Sequence, residues 1–342
     1  MNKLYFLSFG ILSFALVLGS CAPSSPSHSG PVAYTSPAGV TAPDALAIDA
    51  AGNVWALGQA GSLAEINSHG TILTTYTLPS GGSGLTSYAG IAIAASGNIW
   101  AVNYAGGFVA RLVPSTGVIT QYPTGISPYG VAIDPTGNIW VGDTGSGSTP
   151  YSSLTEYVGS TPYPSSYGTS PVSSSCVESV AIDGLGYVWL SGCGSVYIVK
   201  ASTGAATGAY AFPSGGPGNI AIDQNENAWA VDLGSLYEMT PPNNPVVVYS
   251  DANARFQGIA IDQSNDIWVT DAANASLLVF SPTGRLLASF AVGNNPGGIA
   301  IDVYGDVWVA NTNDNTVTEW IGVAAGPQFF PYAGPQFADG QP

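Results

Sequence analysis

Polar side chains that could carry chemistry recur at two positions of one repeated phrase. The phrase approximates P-x-G-[IV]-A-I-D-x-x-G-N-[IV]-W-[VA]-x-[DN] and occurs seven times in the 342-residue sequence. Its second position, x, is occupied by Asp44, Ala89, Tyr129, Glu178, Gly218, Gln257 and Gly297. Its last position is occupied by Gly58, Asn103, Asp143, Gly192, Asp232, Asp271 and Asn311. Together the two sets offer carboxylate and amide oxygens and no cationic side chain.

Some chemistries are open to these oxygens and others are excluded. Converging oxygen ligands suit Ca²⁺ or Mg²⁺, and carboxylates can act as general acids or bases. Short polar residues at strand ends also commonly cap the following turn, which requires no ligand. A Ser-His-Asp or Cys-His nucleophile is excluded, because the two histidines, His28 and His69, lie in an N-terminal Ser/Pro stretch and in a Ser-His-Gly turn. The sequence also lacks a P-loop, a G-x-G-x-x-G motif and the Cys/His spacing of a zinc site.

The repeated phrase predicts the elements that position these residues. Each copy contains two short β-favouring runs around a turn, and two further runs follow in most repeats. Each copy also supplies one tryptophan, and successive tryptophans are 39 to 49 residues apart: Trp55, Trp100, Trp140, Trp189, Trp229, Trp268 and Trp308. This spacing is typical of one four-stranded blade per repeat. We therefore predict an all-β, seven-bladed β-propeller over residues 32–322.

The ring closure and the site follow from the same pattern. A lone strand-like segment, Pro31–Ser36, precedes the first copy, and the last repeat lacks a clear fourth strand after Thr316–Ile321. We expect the N-terminal strand to complete the last blade, which removes an open sheet edge.

The second and last positions of each phrase lie at the open end of one hairpin, so both sets are expected to converge on one mouth of the channel. The turn at the opposite end begins with Asp49, Asp134, Asp183, Asp223, Asp262 or Asp302, which are expected to bond turn amides.

The phrase resembles the repeats of NHL-type propellers, most of all those of the streptogramin B lyase-like group, over residues 31–322. In the lyases of that group the resemblance implies a histidine at x, a glutamate at the strand end of the same repeat and a nearby Mg²⁺. The corresponding pair here is Gln257 and Asp271, and Gln cannot transfer a proton at neutral pH. A more distant resemblance to gluconolactonase-like and phosphotriesterase-like propellers implies a cation held by Glu, Asn and Asp side chains at the mouth.

The N-terminus resembles a bacterial lipoprotein signal. Lys3 precedes an apolar stretch, Leu4 to Leu18, that is short for a membrane span. The following Cys21 completes a segment that resembles a lipobox, which implies lipidation there. We expect residues 1–21 to be the signal peptide with its lipobox and residues 22–31 to be a Ser/Pro tether. The expected location is the cell envelope, at the outer membrane if the host is Gram-negative; an ordinary secretory signal is the alternative.

Composition and cysteine placement limit the partners. The chain carries 21 acidic and 5 basic side chains, a formal net charge of −16, which argues against a nucleic-acid partner. In an exported protein, Cys176 and Cys193, which flank the fourth copy, are expected to form a disulfide, free thiols being the alternative. Residues 144–175 are a Ser/Thr/Tyr/Pro-rich insertion that contains the strand-like Leu154–Val158. Residues 323–342 are a Gly/Pro-rich tail that we expect to be disordered, a segment that binds a partner or the channel being the alternative.

These observations favour a monomeric, non-catalytic binding or scaffold module that engages a protein, glycan or small molecule through an acidic channel mouth. The expected ligand-binding residues are Asp44, Asn103, Tyr129, Asp143, Glu178, Asp232, Gln257, Asp271 and Asn311. The alternative is a divalent-metal-dependent enzyme of the lactonase or lyase kind, with ligands or a base drawn from Glu178, Asp44, Asn103, Asp143 and Asp271. Carboxylates crowded together without a cation are expected to raise the pKa of at least one of them.

Overall fold

The computed structural model describes residues 32–35, 40–81, 87–144, 153–158, 165–167, 177–192, 194–212 and 218–324. Within these ranges the chain forms 28 β-strands in seven four-stranded antiparallel sheets. The predicted all-β, seven-bladed propeller is confirmed. No helix in the described part of the chain is long and apolar enough to cross a membrane.

In blades 1 to 6 the four strands follow one another in chain order from the channel outwards. Blades 1 and 2 consist of β2 (Pro43–Ile48), β3 (Val54–Gly58), β4 (Ser62–Ile66), β5 (Ile72–Thr77), β6 (Tyr88–Ile93), β7 (Ile99–Asn103), β8 (Phe108–Val113) and β9 (Val118–Pro123). Blades 3 and 4 consist of β10 (Pro128–Ile133), β11 (Ile139–Asp143), β12 (Ser153–Tyr157), β13 (Ser165–Tyr167), β14 (Ser179–Ile182), β15 (Tyr187–Gly192), β16 (Ser195–Lys200) and β17 (Ala205–Ala211).

Blades 5 and 6 consist of β18 (Ile220–Ile222), β19 (Ala228–Asp232), β20 (Ser235–Met239), β21 (Val246–Ser250), β22 (Phe256–Ile261), β23 (Ile267–Asp271), β24 (Ser276–Phe280) and β25 (Leu286–Ala291). Blade 7 consists of β26 (Pro296–Ile301), β27 (Val307–Asn311), β28 (Thr316–Trp320) and the N-terminal β1 (Val32–Thr35). The predicted closure is therefore confirmed. In it, β1 pairs antiparallel with β28, from Val32 opposite Glu319 to Thr35 opposite Thr316.

The core of the propeller lies between neighbouring blades. Each hydrophobic cluster draws its side chains from at least two adjacent blades, as where Trp55 and Leu57 of blade 1 pack with Ile91 and Ile93 of blade 2. The second strand of a blade is buried along its whole length, as in β23, whereas the outermost strand β25 is exposed or half-buried throughout. A blade cannot cover both of its faces alone, so the ring supplies the burial that each sheet lacks.

The glycine of the P-x-G segment allows the inner strands to approach one another near the axis. A Cβ added to Gly298 would lie 2.6 Å from the carbonyl oxygen of Asp44 in the next blade, and a Cβ on Gly130 would lie 2.8 Å from the amide nitrogen of Val180. Both distances are shorter than a side chain tolerates, so the phrase needs glycine there for packing rather than for turn geometry.

Blade 3 and the C-terminus differ from expectation. The insertion contributes β12 and also the short β13, which pairs with β12 as the outermost strand of the blade. Ala324, which lies in the segment predicted to be a disordered tail, is buried, and its amide donates to the carbonyl of Gly305 at 3.0 Å. Residues 1–31 with Cys21, the cysteines 176 and 193, and residues 325–342 lie outside the described residues, so the lipidation, disulfide and tail predictions stay predictions.

Six blades share a hydrogen-bond network at the hairpin turn opposite the mouth. In each, one oxygen of the turn aspartate accepts from the backbone amides two and four residues later, and the other oxygen accepts from the tryptophan indole six residues later. The six pairs are Asp49–Trp55, Asp134–Trp140, Asp183–Trp189, Asp223–Trp229, Asp262–Trp268 and Asp302–Trp308. The carboxylate thus closes the turn and satisfies the buried indole at the same time.

Candidate ligand-binding site at the channel mouth

A cavity of about 570 Å³ opens where the seven inner strands begin. All seven second positions of the repeated phrase line it: Asp44, Ala89, Tyr129, Glu178, Gly218, Gln257 and Gly297. In five of the blades this position lies in a register irregularity between the first and second strands, as between Pro43 and Ala45 in blade 1. Such bulges re-aim a side chain out of the regular alternation, which explains how one position per blade comes to line the channel.

The last positions of the phrase are placed differently. Asp232 lines the cavity, whereas Asn103, Asp143, Asp271 and Asn311 are buried within their own blades. Asn103 accepts from the amide of Gly106 at 2.8 Å, and Asn311 accepts from the amide of Gly293 at 3.0 Å. Asp271 accepts from the amide of Arg255 at 2.9 Å, and Asp143 accepts from the Thr155 hydroxyl at 2.9 Å. These four side chains hold loops and strands of the mouth in place and do not face the cavity.

This placement bears on the predicted divalent cation. Of the five side chains considered as metal ligands or base, only Asp44 and Glu178 line the cavity. Among the described residues, no group of three or more His, Cys, Asp or Glu side chains could hold a metal ion. The structure therefore does not bring together the five side chains that were expected to bind a Ca²⁺ or Mg²⁺ ion.

Three carboxylates dominate the electrostatics of the cavity. Burial against its walls raises the pKa of Asp44, which also accepts from the Gln59 amide at 3.2 Å. The pKa of Glu178 is raised, first by loss of water contact and second by the charge of Asp232. Burial, with Asp44 and Glu178 as further causes, raises the pKa of Tyr129 to about 12. The crowding of mouth carboxylates expected from the sequence is therefore present between Glu178 and Asp232.

Arg255 is a residue of the site that sequence reasoning missed. It precedes the sixth phrase by one position and lines the cavity. Its guanidinium donates to Asn295 Oδ1 at 2.9 Å and, with the Gln257 amide oriented to satisfy its neighbours, to Gln257 Oε1 at 2.6 Å. Two neutral amides hold the cation in position. The signal that could have revealed it is topological, since the residue before each phrase ends the loop that reaches the mouth.

The rim of the mouth also carries exposed aromatic and aliphatic side chains. Tyr104 and Tyr129 meet edge to face, with ring centroids 6.0 Å apart and an interplanar angle of 84°. Leu233, which lines the cavity beside Asp232, is 72% exposed. The lining carries the three carboxylates and the one guanidinium, a net of two negative charges. This arrangement suits a positively charged ligand with some apolar surface, because amines pair with carboxylates and pack on aromatic rings.

Lowering the pH from about 7 to about 5 is expected to raise the melting temperature of the protein. Burial raises the pKa of eight described carboxyl groups: Asp44, Glu65, Glu178, Glu226, Glu238, Asp266, Asp302 and Asp306. Groups whose pKa is higher in the folded state contribute stability at low pH that is lost as the pH rises through that folded pKa. For Asp302 burial raises the pKa from its ordinary value of 3.8 to about 6, so its contribution changes with pH between these two values. Differential scanning calorimetry across this range measures the effect.

The variant Asp302→Asn serves as the control for this prediction. It removes the carboxyl group whose pKa is raised most, so the melting temperature should rise less as the pH is lowered. A melting temperature that falls steadily as the pH is lowered from about 7 to about 5 would contradict the assignment of raised pKa values.

The cavity and its seven blades define the molecule as a seven-bladed β-propeller with a polar axial mouth, and solved structures share this fold. The chain is similar to virginiamycin B lyase from Staphylococcus aureus, with 18% identity and a TM-score of 0.73 over 85% of this chain and 98% of that one. It is similar to a streptogramin B lyase at 16% identity and a TM-score of 0.74, over 85% and 96% of the two chains. It also resembles hydrazine synthase of Kuenenia stuttgartiensis, at 12% identity and a TM-score of 0.71, over 84% and 97%.

At these identities the likeness establishes the fold alone. The expected structural resemblance to streptogramin lyase-like propellers is confirmed. No family model and no curated protein matches the sequence.

Proposed function

We propose that this chain is an exported, lipid-anchored β-propeller that binds a positively charged ligand at its channel mouth without transforming it. The observation that carries the proposal is the convergence of Asp44, Glu178 and Asp232 on one cavity of about 570 Å³. The ligand is a small amine or a basic side chain of a protein partner. The signal-like segment that ends at Cys21 supports attachment to the cell envelope, with the mouth held away from the membrane by the tether of residues 22–31.

Binding, rather than the elimination reaction for which the lyases of this fold are named, is favoured by the chemistry of the lining. Among the described residues of the cavity wall, none is a histidine. His69 lies in an exposed turn, where its Nδ1 is 3.4 Å from the Ser68 hydroxyl. The residue that pairs with Asp271 in its own blade is Phe256. The next residue, Gln257, lines the cavity, and its amide is held by Arg255. A recess lined by carboxylates and without a histidine is suited to binding an amine.

Putrescine, a small diamine that matches the net charge of the lining, is the probe that tests this proposal. Isothermal titration calorimetry at low ionic strength should detect one binding event. Glu178→Gln and Asp44→Asn should each weaken it about tenfold, which corresponds to one recessed ion pair of roughly 1.4 kcal/mol. Because burial raises the pKa of both carboxyls, the affinity should fall as the pH is lowered into the range where they protonate.

Glu238→Gln provides the matched control, because Glu238 is a half-buried carboxylate on β20 that does not line the cavity. It removes the same charge from the chain, so it accounts for general attraction between an acidic protein and a diamine. Equal weakening by Glu238→Gln and Glu178→Gln, or no heat of binding in the unmodified protein, would refute binding at the mouth.

A further inference from the structure

Blade 2 departs from the other six blades at the hairpin turn that lies opposite the mouth. Where they have the turn aspartate, blade 2 has Ala94. Its tryptophan, Trp100, is buried at 1% exposure, and its Nε1 has no hydrogen-bond partner within the described protein. The amides of Ser96 and Asn98 occupy the two positions whose amides donate to the aspartate in the other blades. Blade 2 therefore has the indole and the two backbone amides that donate in the other blades, but it lacks the aspartate carboxylate that accepts from them.

The charge opposite the tryptophan changes in the same blade. The residue that faces the tryptophan from the third strand is Glu65, Glu156, Ile198, Glu238, Val279 or Glu319 in the other six blades. In blade 2 it is Arg111. Its guanidinium carbon lies 5.9 Å from the centre of the Trp100 ring and 5.5 Å from that of Tyr122. Its buried Nε has no hydrogen-bond partner among the described residues.

A charge at this facing position lies within electrostatic reach of the turn. The charge of Asp49 is a cause of the raised pKa of Glu65, second to burial, and the charge of Asp223 acts in the same way on Glu238. In those blades the facing residue repels the turn carboxylate. An arginine at the same place attracts a negative charge, so blade 2 combines the donors of the network with a cation opposite its tryptophan.

We propose that blade 2 binds a small carboxylate anion of the size of formate or acetate, at the place where the other six blades hold their own aspartate carboxylate. Trp100 Nε1 and the amides of Ser96 and Asn98 donate to it, and Arg111 supplies the positive charge. The site is separate from the mouth and does not depend on the function proposed there. A buried indole N–H without an acceptor is unfavourable, and a bound anion would supply the acceptor that Trp100 lacks.

Sodium formate titrated into the ¹⁵N-labelled protein tests the site, because each tryptophan indole N–H gives its own NMR resonance. One indole resonance is expected to shift in a saturable manner, and it should be the resonance that disappears in Trp100→Phe. Ala94→Asp, which supplies the carboxylate that the other blades carry, should abolish the shift and raise the melting temperature. Arg111→Gln should weaken formate binding several-fold.

Three results would overturn the proposal. The first is an indole spectrum that formate does not change. The second is an unchanged formate response in Ala94→Asp. The third is a Trp100 resonance that sodium chloride shifts at the same concentrations as sodium formate, which would mean that the site does not select a carboxylate. Ala94→Asp repeats a turn that six blades already form, so the folded state of the variant can be checked directly by its melting curve.

Discussion

Deleting residues 31–37 is expected to lower the melting temperature by about 10 °C. The four residue pairs between β1 and β28 close the ring, and their backbone hydrogen bonds are lost with the deletion. At roughly 1 kcal/mol for each bond, and about 2–4 °C of melting temperature for each kcal/mol in a domain of more than about 150 residues, the loss is large. The deletion also exposes the edge of β28, where Val317 and Glu319 are now buried. Circular dichroism or calorimetry measures the change.

Deleting only residues 22–30 is the control for this experiment, because it removes most of the predicted tether and leaves the described β1 in place. That variant should melt at the temperature of the unmodified chain. The exposed edge of β28 in the longer deletion should also promote association between chains, which size-exclusion chromatography detects. An unchanged melting curve after removal of residues 31–37 would refute the role of β1 in closing the ring.

Replacing Asp223 by alanine is expected to lower the free energy of unfolding by about 3 kcal/mol, the upper range for bonds to a buried charged group. Asp223 is 5% exposed and accepts from the amides of Asn225 and Asn227, both at 2.8 Å. Its second oxygen accepts from the indole of Trp229 at 3.1 Å. The substitution opens the turn and leaves a buried indole N–H without its acceptor. Urea denaturation followed by tryptophan fluorescence measures the loss.

Asp251→Ala is the matched control, since Asp251 accepts from the amide of Asn253 at 2.9 Å in a loop near the surface. It should cost no more than about 1 kcal/mol. A double-mutant cycle with Trp229→Phe isolates the indole bond: the cost of Asp223→Ala should be smaller when the indole is already absent. A loss below about 1 kcal/mol for Asp223→Ala, or full additivity in the cycle, would show that the turn network contributes little to stability.

Much of the fold could be predicted because the residue pattern of each repeat indicates its own strands and turns. Seven copies of a hairpin phrase, each with two outer strands, specify seven blades, and the short last repeat specifies that β1 must complete it. The irregular third repeat was predicted less well, since the pairing of Ser165–Tyr167 with β12 depends on neighbouring backbone rather than on a strong strand pattern. The packing of Ala324 against the ring could not be predicted for the same reason, because the composition of the C-terminal segment does not reveal it.

Some residues of the candidate site could likewise be located from the sequence, and others could not. The second position of the phrase could be placed at the mouth because every copy enters its inner strand in the same way. The last position could not be resolved from the sequence, since Asp and Asn at a strand end can either cap a loop or face a channel. Asn103 and Asp271 cap loops, and Asp232 faces the cavity, although all three end equivalent strands. The difference depends on which loop amides are within reach of each side chain.

The sequence by itself determined the number of blades, the strand that closes the ring and the residue set that reaches the mouth, because these follow from local patterns repeated around an axis. Only the tertiary structure decided how charges from different blades meet. Arg255 joins the mouth through a loop that no repeated pattern marks, and Arg111 faces a tryptophan from an adjacent strand. Contacts of this kind depend on strand register and loop course, which arise from packing of the whole ring rather than from the residues of one repeat.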